Sequence, residues 1–277
     1  MLVPGSVVED YQVEAVVGRG AMATVYRVYH LERQTSHALK VLHAGDASLF
    51  DRFAREVQAQ RRLVHPNVVR VEGMIDAEGL PGLLMELVPG APLSVLLADR
   101  PFDLRSTREV FSQLCNGVEA AHALRIVHRD LKPGNVLVAA TERGLVAKIS
   151  DFGMVKVLGD SFSGPALTRS QSGLGTPGYM SPEQVIDAKR ADERTDIFAL
   201  GCLLYRMVCG VAPFSGELRD LLQNAVRGIY PDPRSLRPGL PDPIVATIHA
   251  CLQPDRDRRP PDIAALRQLY AGEAARG

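Results

Sequence analysis

The strongest constraint on the fold is a single change of hydrophobic pattern near residue 90. Before it, short apolar and β-branched runs predict strands at residues 11–17, 25–29, 38–42, 68–75 and 83–88, with one helix at 51–64. After it, helical spacing predicts helices at 108–124, 192–209, 217–227, 242–253 and 261–270, with short strands at 136–139 and 147–150. Residues 89–92, Pro-Gly-Ala-Pro, indicate a connector at the change. A strand-rich part followed by a helical part predicts an α+β fold.

Charge and composition exclude several classes of protein. Among the 277 residues, 32 basic side chains balance 32 acidic ones, which gives no support for a nucleic-acid or membrane-surface partner. The apolar runs are shorter than the roughly 20 residues that a membrane helix needs, and the first residues lack a secretory signal. The four cysteines have no zinc-ligand spacing, so we expect free, buried thiols.

A glycine-containing turn joins the first two predicted strands, and a lysine lies in the third. Residues 18–25 read Gly-Arg-Gly-Ala-Met-Ala-Thr-Val. Gly18 and Gly20 would let backbone N–H groups approach phosphate oxygens, although a plain hairpin turn fits the same residues. Lys40 stands in an apolar strand, where it either faces solvent or has a partner. Glu56, on the predicted helix, would hold the Lys40 ammonium against phosphate.

The most specific signal is a pair of strings at residues 128–135 and 151–153. The first reads His-Arg-Asp-Leu-Lys-Pro-Gly-Asn and the second reads Asp-Phe-Gly. Asp130, Asn135 and Asp151 supply oxygen atoms within a short span, and Mg²⁺ prefers such hard ligands beside phosphates. We interpret Asn135 and Asp151 as metal ligands and Asp130 as the group that accepts a hydroxyl proton.

In this order the motifs resemble those of Hanks-type protein kinases, most of all the bacterial eukaryotic-like serine/threonine kinases. The resemblance runs from about Tyr11 to about Leu269 and includes a hinge strand at 84–88 and the segment 175–183. It implies a two-lobed α+β kinase fold, with an antiparallel β-sheet N-lobe that carries one helix and a mainly α-helical C-lobe. The expected kinase domain spans 8–271, with the N-lobe at 8–88, the hinge and C-lobe at 89–271, and ATP in the cleft.

The resemblance also implies roles for single residues. Lys40, held by Glu56, contacts the α- and β-phosphates, and Lys132 contacts the γ-phosphate. Asp130 orients the acceptor hydroxyl. The residues assigned to the rest of the nucleotide are Gly18, Gly20, Val25, Ala38, Met85 (the gatekeeper), Glu86, Val88 and Leu137, with Asp151 and Asn135 on the metal. Asp196 resembles the family's aspartate of the long central helix, and Arg259 resembles the arginine that pairs with Glu183.

Residues 159–178 are rich in Gly, Ser and Thr and predict a long loop, which is usually functional in a compact domain. Because Arg129 precedes Asp130, the resemblance implies a kinase that is activated by phosphorylation of this loop. The candidate acceptors are Thr168, Ser170 and Ser172, and the candidate cationic partners of the phosphate are Arg129, Lys156 and Arg52. Thr176 is interpreted as a residue of the substrate-binding loop. A merely flexible polar loop is the alternative.

Two residues depart from the family pattern. Ala23 replaces the third glycine of the turn, from which we expect a stiffer loop and an active enzyme. Gln60 stands one helical turn after Glu56, where the family has an apolar residue that packs near Phe152. Unless it is hydrogen-bonded, a polar group there would loosen the helix. The alternative is a harmless glutamine that uses its aliphatic stem.

The sequence thus predicts a serine/threonine kinase that transfers the γ-phosphoryl group of ATP, with Mg²⁺, to proteins and to its own activation loop. A pseudokinase that acts as a binding scaffold is the first alternative, and a small-molecule phosphotransferase is the second. We expect protein substrates, transient self-association for autophosphorylation, no nucleic acid and no membrane segment. The expected location is the cytoplasm, with room for a membrane tether or further domains after Gly277.

Overall fold

The computed structural model describes residues 1–43, 47–152, 177–187 and 190–272. Internal contacts divide these residues into two compact units, the first within Met1–Pro89 and the second within Gly90–Phe152 and Gly175–Gly277. Several predicted residues lie outside the described ranges: Gly153, Lys156, Thr168, Ser170, Ser172, Thr176 and most of the predicted loop at 159–178.

The first unit is built on one antiparallel sheet of six strands. Their bounds are β1 Val7–Val8, β2 Tyr11–Arg19, β3 Ala23–His30, β4 Thr35–Leu42, β5 Val71–Asp76 and β6 Pro81–Glu86. The spatial order is β1-β2-β3-β4-β6-β5. Helix α1, Ala47–Gln60, joins β4 to β5 and packs against β5 and β6. This arrangement matches the predicted sheet with a single helix.

The register of the sheet sorts its side chains onto two faces, because directly opposed residues share a face and neighbours alternate. Tyr26 pairs with Leu39, which pairs with Leu84, and all three belong to a buried apolar cluster that includes Val13 and Val28. The opposite face therefore carries the residues that alternate with these.

Helix α1 is amphipathic, with Phe53, Val57 and Gln60 buried at helical spacing. It ends at Gln60, earlier than the predicted residue 64. Val64 is 67 % exposed and does not continue the buried face. The following Pro66 also disfavours helical backbone at the residue before it.

The second unit is mainly helical and carries a small sheet. Its helices are α2 Leu93–Leu96, α3 Leu104–Ala123, α4 Pro182–Ile186, α5 Glu193–Cys209, α6 Leu218–Arg227, α7 Pro233–Leu236, α8 Asp242–Cys251 and α9 Ile263–Ala271. Helix α5 is almost entirely buried and packs against α3 and α8. Asp192 caps its first turn, and Gly210 ends it with a φ of 78°, a conformation that favours glycine.

The small sheet has the order β7-β8-β9, with β7 Ala91–Pro92, β8 Val136–Thr141 and β9 Gly144–Ile149. The predicted connector at 89–92 is therefore only partly a connector, because its last two residues pair with β8. A Cβ at Gly90 would lie 2.7 Å from the Val138 carbonyl oxygen, so this close pairing requires a glycine.

Two side chains of α3 cover the free edge of β9. The Leu145 N–H donates to Glu109 Oε1 at 2.9 Å, and Gln113 Nε2 donates to the Leu145 carbonyl at 2.7 Å. Gln113 Oε1 accepts from the Ala147 N–H at 2.9 Å. The backbone groups of this edge are thus satisfied by a helix instead of another strand.

In the described part of the chain, no helix has the length and apolar character needed to cross a membrane. Cys115, Cys202, Cys209 and Cys251 are all free thiols, and three of them are buried.

Candidate active site

Two polar side chains of the second unit, Lys132 and Asn135, converge on Asp130. Lys132 Nζ donates to Asp130 Oδ2 at 2.7 Å. Asn135 Nδ2 donates to the same oxygen at 3.2 Å and to the Asp130 carbonyl at 2.8 Å. The Asp130 side chain is 29 % exposed, whereas Asn135 is buried. A carboxylate in this setting is held in place and still accessible to a substrate hydroxyl.

A buried aspartate on α5 holds the backbone next to this carboxylate. Asp196 is fully buried and accepts from the N–H groups of His128 at 2.8 Å and Arg129 at 2.9 Å, and from His122 Nε2 at 2.8 Å. Arg129 has a φ of 66°, a strained value for a residue with a side chain. The contacts with Asp196 therefore fix a backbone bend directly before Asp130.

The ring of His128 links the two motif strings. Its Nε2 donates to the Ser150 carbonyl at 2.8 Å, so its Nδ1 is the acceptor for the Asp130 N–H at 3.2 Å. The ring also lies 4.6 Å from the ring of Phe152. These contacts connect the segment of Asp130 to the residues on either side of Asp151.

The antiparallel pairing of β8 and β9 brings the proposed metal ligands to one end of the small sheet. Val136 pairs with Ile149, and the Ser150 N–H donates to the Asn135 carbonyl at 2.9 Å. Asn135 therefore precedes β8 at the end where Asp151 follows β9. Asp151 has a φ of 64°.

The donor set at this end of the sheet suits a hard cation. Because Asn135 Nδ2 points to Asp130, its Oδ1 is left as an oxygen donor, and it accepts no hydrogen bond from the described residues. The carboxylate of Asp151 is the second oxygen group. Among the described residues no cluster of three His, Cys, Asp or Glu side chains is placed for a metal. Two protein oxygens with phosphate and water ligands are the type of site that Mg²⁺ uses.

The predicted pair of Glu183 and Arg259 is present and buried. Arg259 Nη1 and Nη2 donate to the two Glu183 oxygens, each at 2.8 Å, and Thr195 Oγ1 donates to Oε1 at 2.9 Å. Burial acts to raise the pKa of Glu183, but the hydrogen bonds and charge of Arg259 outweigh it and hold the pKa below its usual value. The remaining N–H groups of Arg259 reach backbone carbonyls of Gln253, Arg194 and Pro254. This pair ties α4 to the segment before α9.

In the first unit, the register places the predicted nucleotide residues on one face of the sheet. Val25 pairs with Lys40, which pairs with Leu83, and Ala38 pairs with Met85. This face is the one opposite to Tyr26 and Leu39. Lys40 is thus in mid-sheet, and Glu56 is on α1, which packs against β6. The ion pair between them stays a prediction.

The other predicted nucleotide residues lie at strand ends. Glu86 ends β6 and Val88 follows it, both half-buried. Leu137 is half-buried in β8 of the second unit.

Two of the predicted cationic partners of a loop phosphate lie among the described residues. Arg52 lies on α1, and Arg129 Nη2 donates to the Ala191 carbonyl at 3.4 Å, a long hydrogen bond.

The glycines of the turn are not demanded by the hairpin itself. Gly18 and Gly20 have no positive φ, and an added Cβ would meet its nearest atoms at 3.9 and 3.6 Å. These are ordinary contact distances. A Cβ atom would fit at both positions without a clash, so the backbone of the two glycines has open space beside it.

One contact of the segment that contains Asp130 was not predicted from the sequence. Gln184 Nε2 donates to the Arg129 carbonyl at 2.6 Å, while its Oε1 accepts from the Ser181 N–H at 3.1 Å. The spacing of Ser181 and Gln184 is that of a helix capping box, which was the available signal.

Comparisons with known proteins agree with this geometry. A family model described as protein kinase domain matches residues 11–270. The DNA damage-responsive serine/threonine-protein kinase RqkA of Deinococcus radiodurans is 39 % identical over 280 residues, which cover 98 % of this chain and 40 % of RqkA. Serine/threonine-protein kinase PkaA of Streptomyces coelicolor is 35 % identical over 266 residues, which cover 90 % of this chain and 47 % of PkaA. The chain spans less than half the length of these relatives.

Solved structures show the same fold. The kinase domain of Mycobacterium tuberculosis PknI matches with a TM-score of 0.76 at 23 % identity, covering 99 % of this chain and 100 % of that domain. Rad53 in complex with AMP-PNP matches with a TM-score of 0.77 at 27 % identity, covering 95 % of this chain and 65 % of that one.

The chain belongs to the protein kinase family. The predicted α+β kinase fold is confirmed. The family match and the named serine/threonine kinases among the relatives confirm the predicted class of enzyme, a serine/threonine protein kinase.

Proposed function

We propose that this protein is a Mg²⁺-dependent kinase that transfers the γ-phosphoryl group of ATP to serine and threonine hydroxyls of proteins. The observation that carries the proposal is the convergence of Lys132 and Asn135 on Asp130. Phosphoryl transfer needs an aligned hydroxyl and neutralised phosphate oxygens more than covalent chemistry from the protein. The kinase domain proposed for this activity is residues 8–271.

Asp130 is proposed to orient the substrate hydroxyl and accept its proton. Its Oδ2 is occupied by Lys132 and Asn135, which keep the carboxylate in one orientation. Lys132 is also the group proposed to meet the γ-phosphate, so its ammonium would link the base to the transferred group. This arrangement supplies the proximity on which such transfers depend.

Asn135 and Asp151 are proposed to hold Mg²⁺, which when bound supplies positive charge to the phosphate oxygens. Lys40, with Glu56 as its partner, adds a further cation for the α- and β-phosphates. The shared sheet face of Val25, Ala38 and Met85 supports the assignment of Val25 and Ala38 to the adenine and of Met85 to the gatekeeper position. Glu86, Val88 and Leu137 complete that assignment, and the open backbone at Gly18 and Gly20 supports a phosphate-contacting turn.

Autophosphorylation of the activation loop at Thr168, Ser170 or Ser172 is part of the proposal. The proposed cationic partners of the phosphate are Arg129, which directly precedes Asp130, and Arg52 and Lys156. Transfer between two copies of the chain would require transient self-association.

The test is incubation of the purified protein with Mg²⁺ and labelled ATP, with and without a generic basic protein as substrate. Asp130→Asn keeps the side-chain shape and removes the base, so we expect kcat to fall by about 10²- to 10⁴-fold. Lys40→Met removes a phosphate contact and should reduce transfer as strongly. Asp99→Asn, at an exposed aspartate outside the predicted motifs, is the matched control and should transfer normally.

Mapping the label separates the parts of the proposal. Label on Thr168, Ser170 or Ser172 in the wild type supports a switch in the loop, and label only elsewhere retains the kinase and removes the switch. No label on any protein by folded wild type would overturn the proposal in favour of an ATP-binding pseudokinase.

A further inference from the structure

His43 follows the last residue of β4 and contacts the glycine-containing turn through three groups. Its backbone N–H donates to the Met22 carbonyl at 2.9 Å. Its ring Nδ1 lies 3.1 Å from the Ala21 carbonyl oxygen, and its ring Nε2 lies 2.9 Å from Thr24 Oγ1. The sequence analysis gave this residue no role.

The partners determine where the ring proton lies. A carbonyl oxygen only accepts, so Nδ1 carries the hydrogen that points to Ala21. In the neutral ring, Nε2 is then the acceptor for the hydroxyl of Thr24, which is buried. Both ring nitrogens are therefore engaged with the turn.

These contacts extend the sheet into the turn. Ala23 pairs with Leu42, the last residue of β4, and the backbone bond of His43 adds one position beyond it. On the other side of the turn the Gly20 N–H donates to the Ala23 carbonyl at 2.9 Å. The tip of the turn, residues 20–23, is thus closed by a hydrogen bond between Gly20 and Ala23 and is also bonded to the residue that follows β4.

The orientation of two peptide groups follows from these bonds. The carbonyls of Ala21 and Met22 point toward His43, and the peptides of the described residues are trans. In a planar trans peptide the N–H points opposite to the carbonyl. The N–H groups of Met22 and Ala23 therefore point away from His43.

We propose that His43 is a positioning residue for the nucleotide, which orients the peptide groups of the turn for phosphate before ATP binds. The inference rests on the proposed function, because it assumes that this turn contacts phosphate. A turn that is already ordered loses less conformational entropy when ATP binds, and the affinity for ATP is therefore higher.

The experiment compares His43→Ala, Thr24→Val and the double variant. We expect His43→Ala to raise KM for ATP about tenfold, which corresponds to about 1.4 kcal/mol, with kcat changed much less. Thr24→Val removes one bond and should raise KM by about threefold, and the double variant should not exceed His43→Ala, because the two residues share a contact. His43→Asn, whose amide can still donate to Ala21, should restore part of the affinity.

His249→Ala is the matched control, since its ring also uses both nitrogens, with Tyr230 at 2.8 Å and Asp232 at 3.3 Å. An unchanged KM in folded His43→Ala, or a rise equal to that of the control, would overturn the inference. Amide hydrogen exchange of residues 20–24 and binding of AMP-PNP give readouts that do not need transfer. If the wild type transfers nothing, the proposed function fails. Faster amide exchange and weaker AMP-PNP binding in His43→Ala would still support the role of His43. Unchanged exchange and unchanged AMP-PNP binding would contradict that role.

Discussion

Gln60 places a polar amide in the buried face of α1. Only 3 % of the residue is exposed, and its Nε2 has no hydrogen-bond partner among the described residues. A buried donor without an acceptor costs about 1–3 kcal/mol. The first of the two interpretations, a weakened α1, requires that the amide be unbonded, and it stays a prediction.

Gln60→Met keeps the length of the side chain and removes the unpaired donor. We expect the free energy of unfolding to rise by about 1–2 kcal/mol, measured by urea denaturation. Gln268→Met, on the exposed face of α9, should stay within about 0.5 kcal/mol of the wild type. A loss of stability in Gln60→Met would show that the amide has a role that the structure does not display.

At the scale of elements, the buried pair of Glu183 and Arg259 anchors α4. Because the pKa of Glu183 is lowered in the folded state, its carboxylate stabilises the fold above its unfolded pKa. That contribution is lost as the pH falls through the folded pKa. Glu183→Gln also leaves the Arg259 guanidinium buried with a neutral partner.

We therefore expect Glu183→Gln to lower the free energy of unfolding by about 3 kcal/mol at pH 7. The difference from the wild type should shrink as the pH falls below the ordinary glutamate pKa toward the lowered pKa of Glu183, because the wild-type carboxyl then becomes protonated. Denaturation of both proteins across pH 3–8 measures this. Glu193→Gln, at an exposed pair with Arg125, is the control, and a difference that does not depend on pH would contradict the prediction.

The sequence predicted elements well where their residues alternate or repeat at helical spacing. It missed α2, α4 and α7, which are too short to show a period. The strand predicted at 83–88 begins at Pro81, and residues such as Pro81 and Gly82 do not predict a strand. Gly82 is needed because a Cβ there would lie 2.9 Å from Leu39 and 3.1 Å from the Ile75 carbonyl, and that close approach is a property of the assembled sheet.

In the candidate site too, local patterns were predicted from the sequence and contacts between distant residues were not. Asp130 and Asn135 were found from spacing, because they lie within one short segment, whereas the role of Lys132 in that segment came from the resemblance. The contacts of Asp196 with the N–H groups of His128 and Arg129 join residues far apart in sequence, and only the resemblance indicated that Asp196 mattered. No sequence pattern indicated the contacts of His43 with the turn, since these contacts depend on the register of β3 and β4.

For the whole molecule, the two units and the family match describe a kinase domain that spans less than half the length of its named relatives. The activities and partners of the whole protein are therefore part of the proposal. In the proposal, the first unit contains Lys40 for the α- and β-phosphates and most of the residues assigned to the adenine. The second unit contains the proposed base and metal ligands, together with Lys132 and Leu137.

The cover that α3 gives to β9 has a consequence for how copies of the chain behave in solution. An uncovered strand edge is a template on which another chain can add a strand. Glu109 and Gln113 occupy the N–H and carbonyl groups that such a strand would use. Gln113→Ala should therefore self-associate on gentle heating, as seen by light scattering, whereas Ser112→Ala on the same helix should stay monodisperse. Equal behaviour of the two variants would mean that the edge is protected by other means. Self-association of Gln113→Ala alone would show that side chains of α3 keep this domain from aggregating through β9.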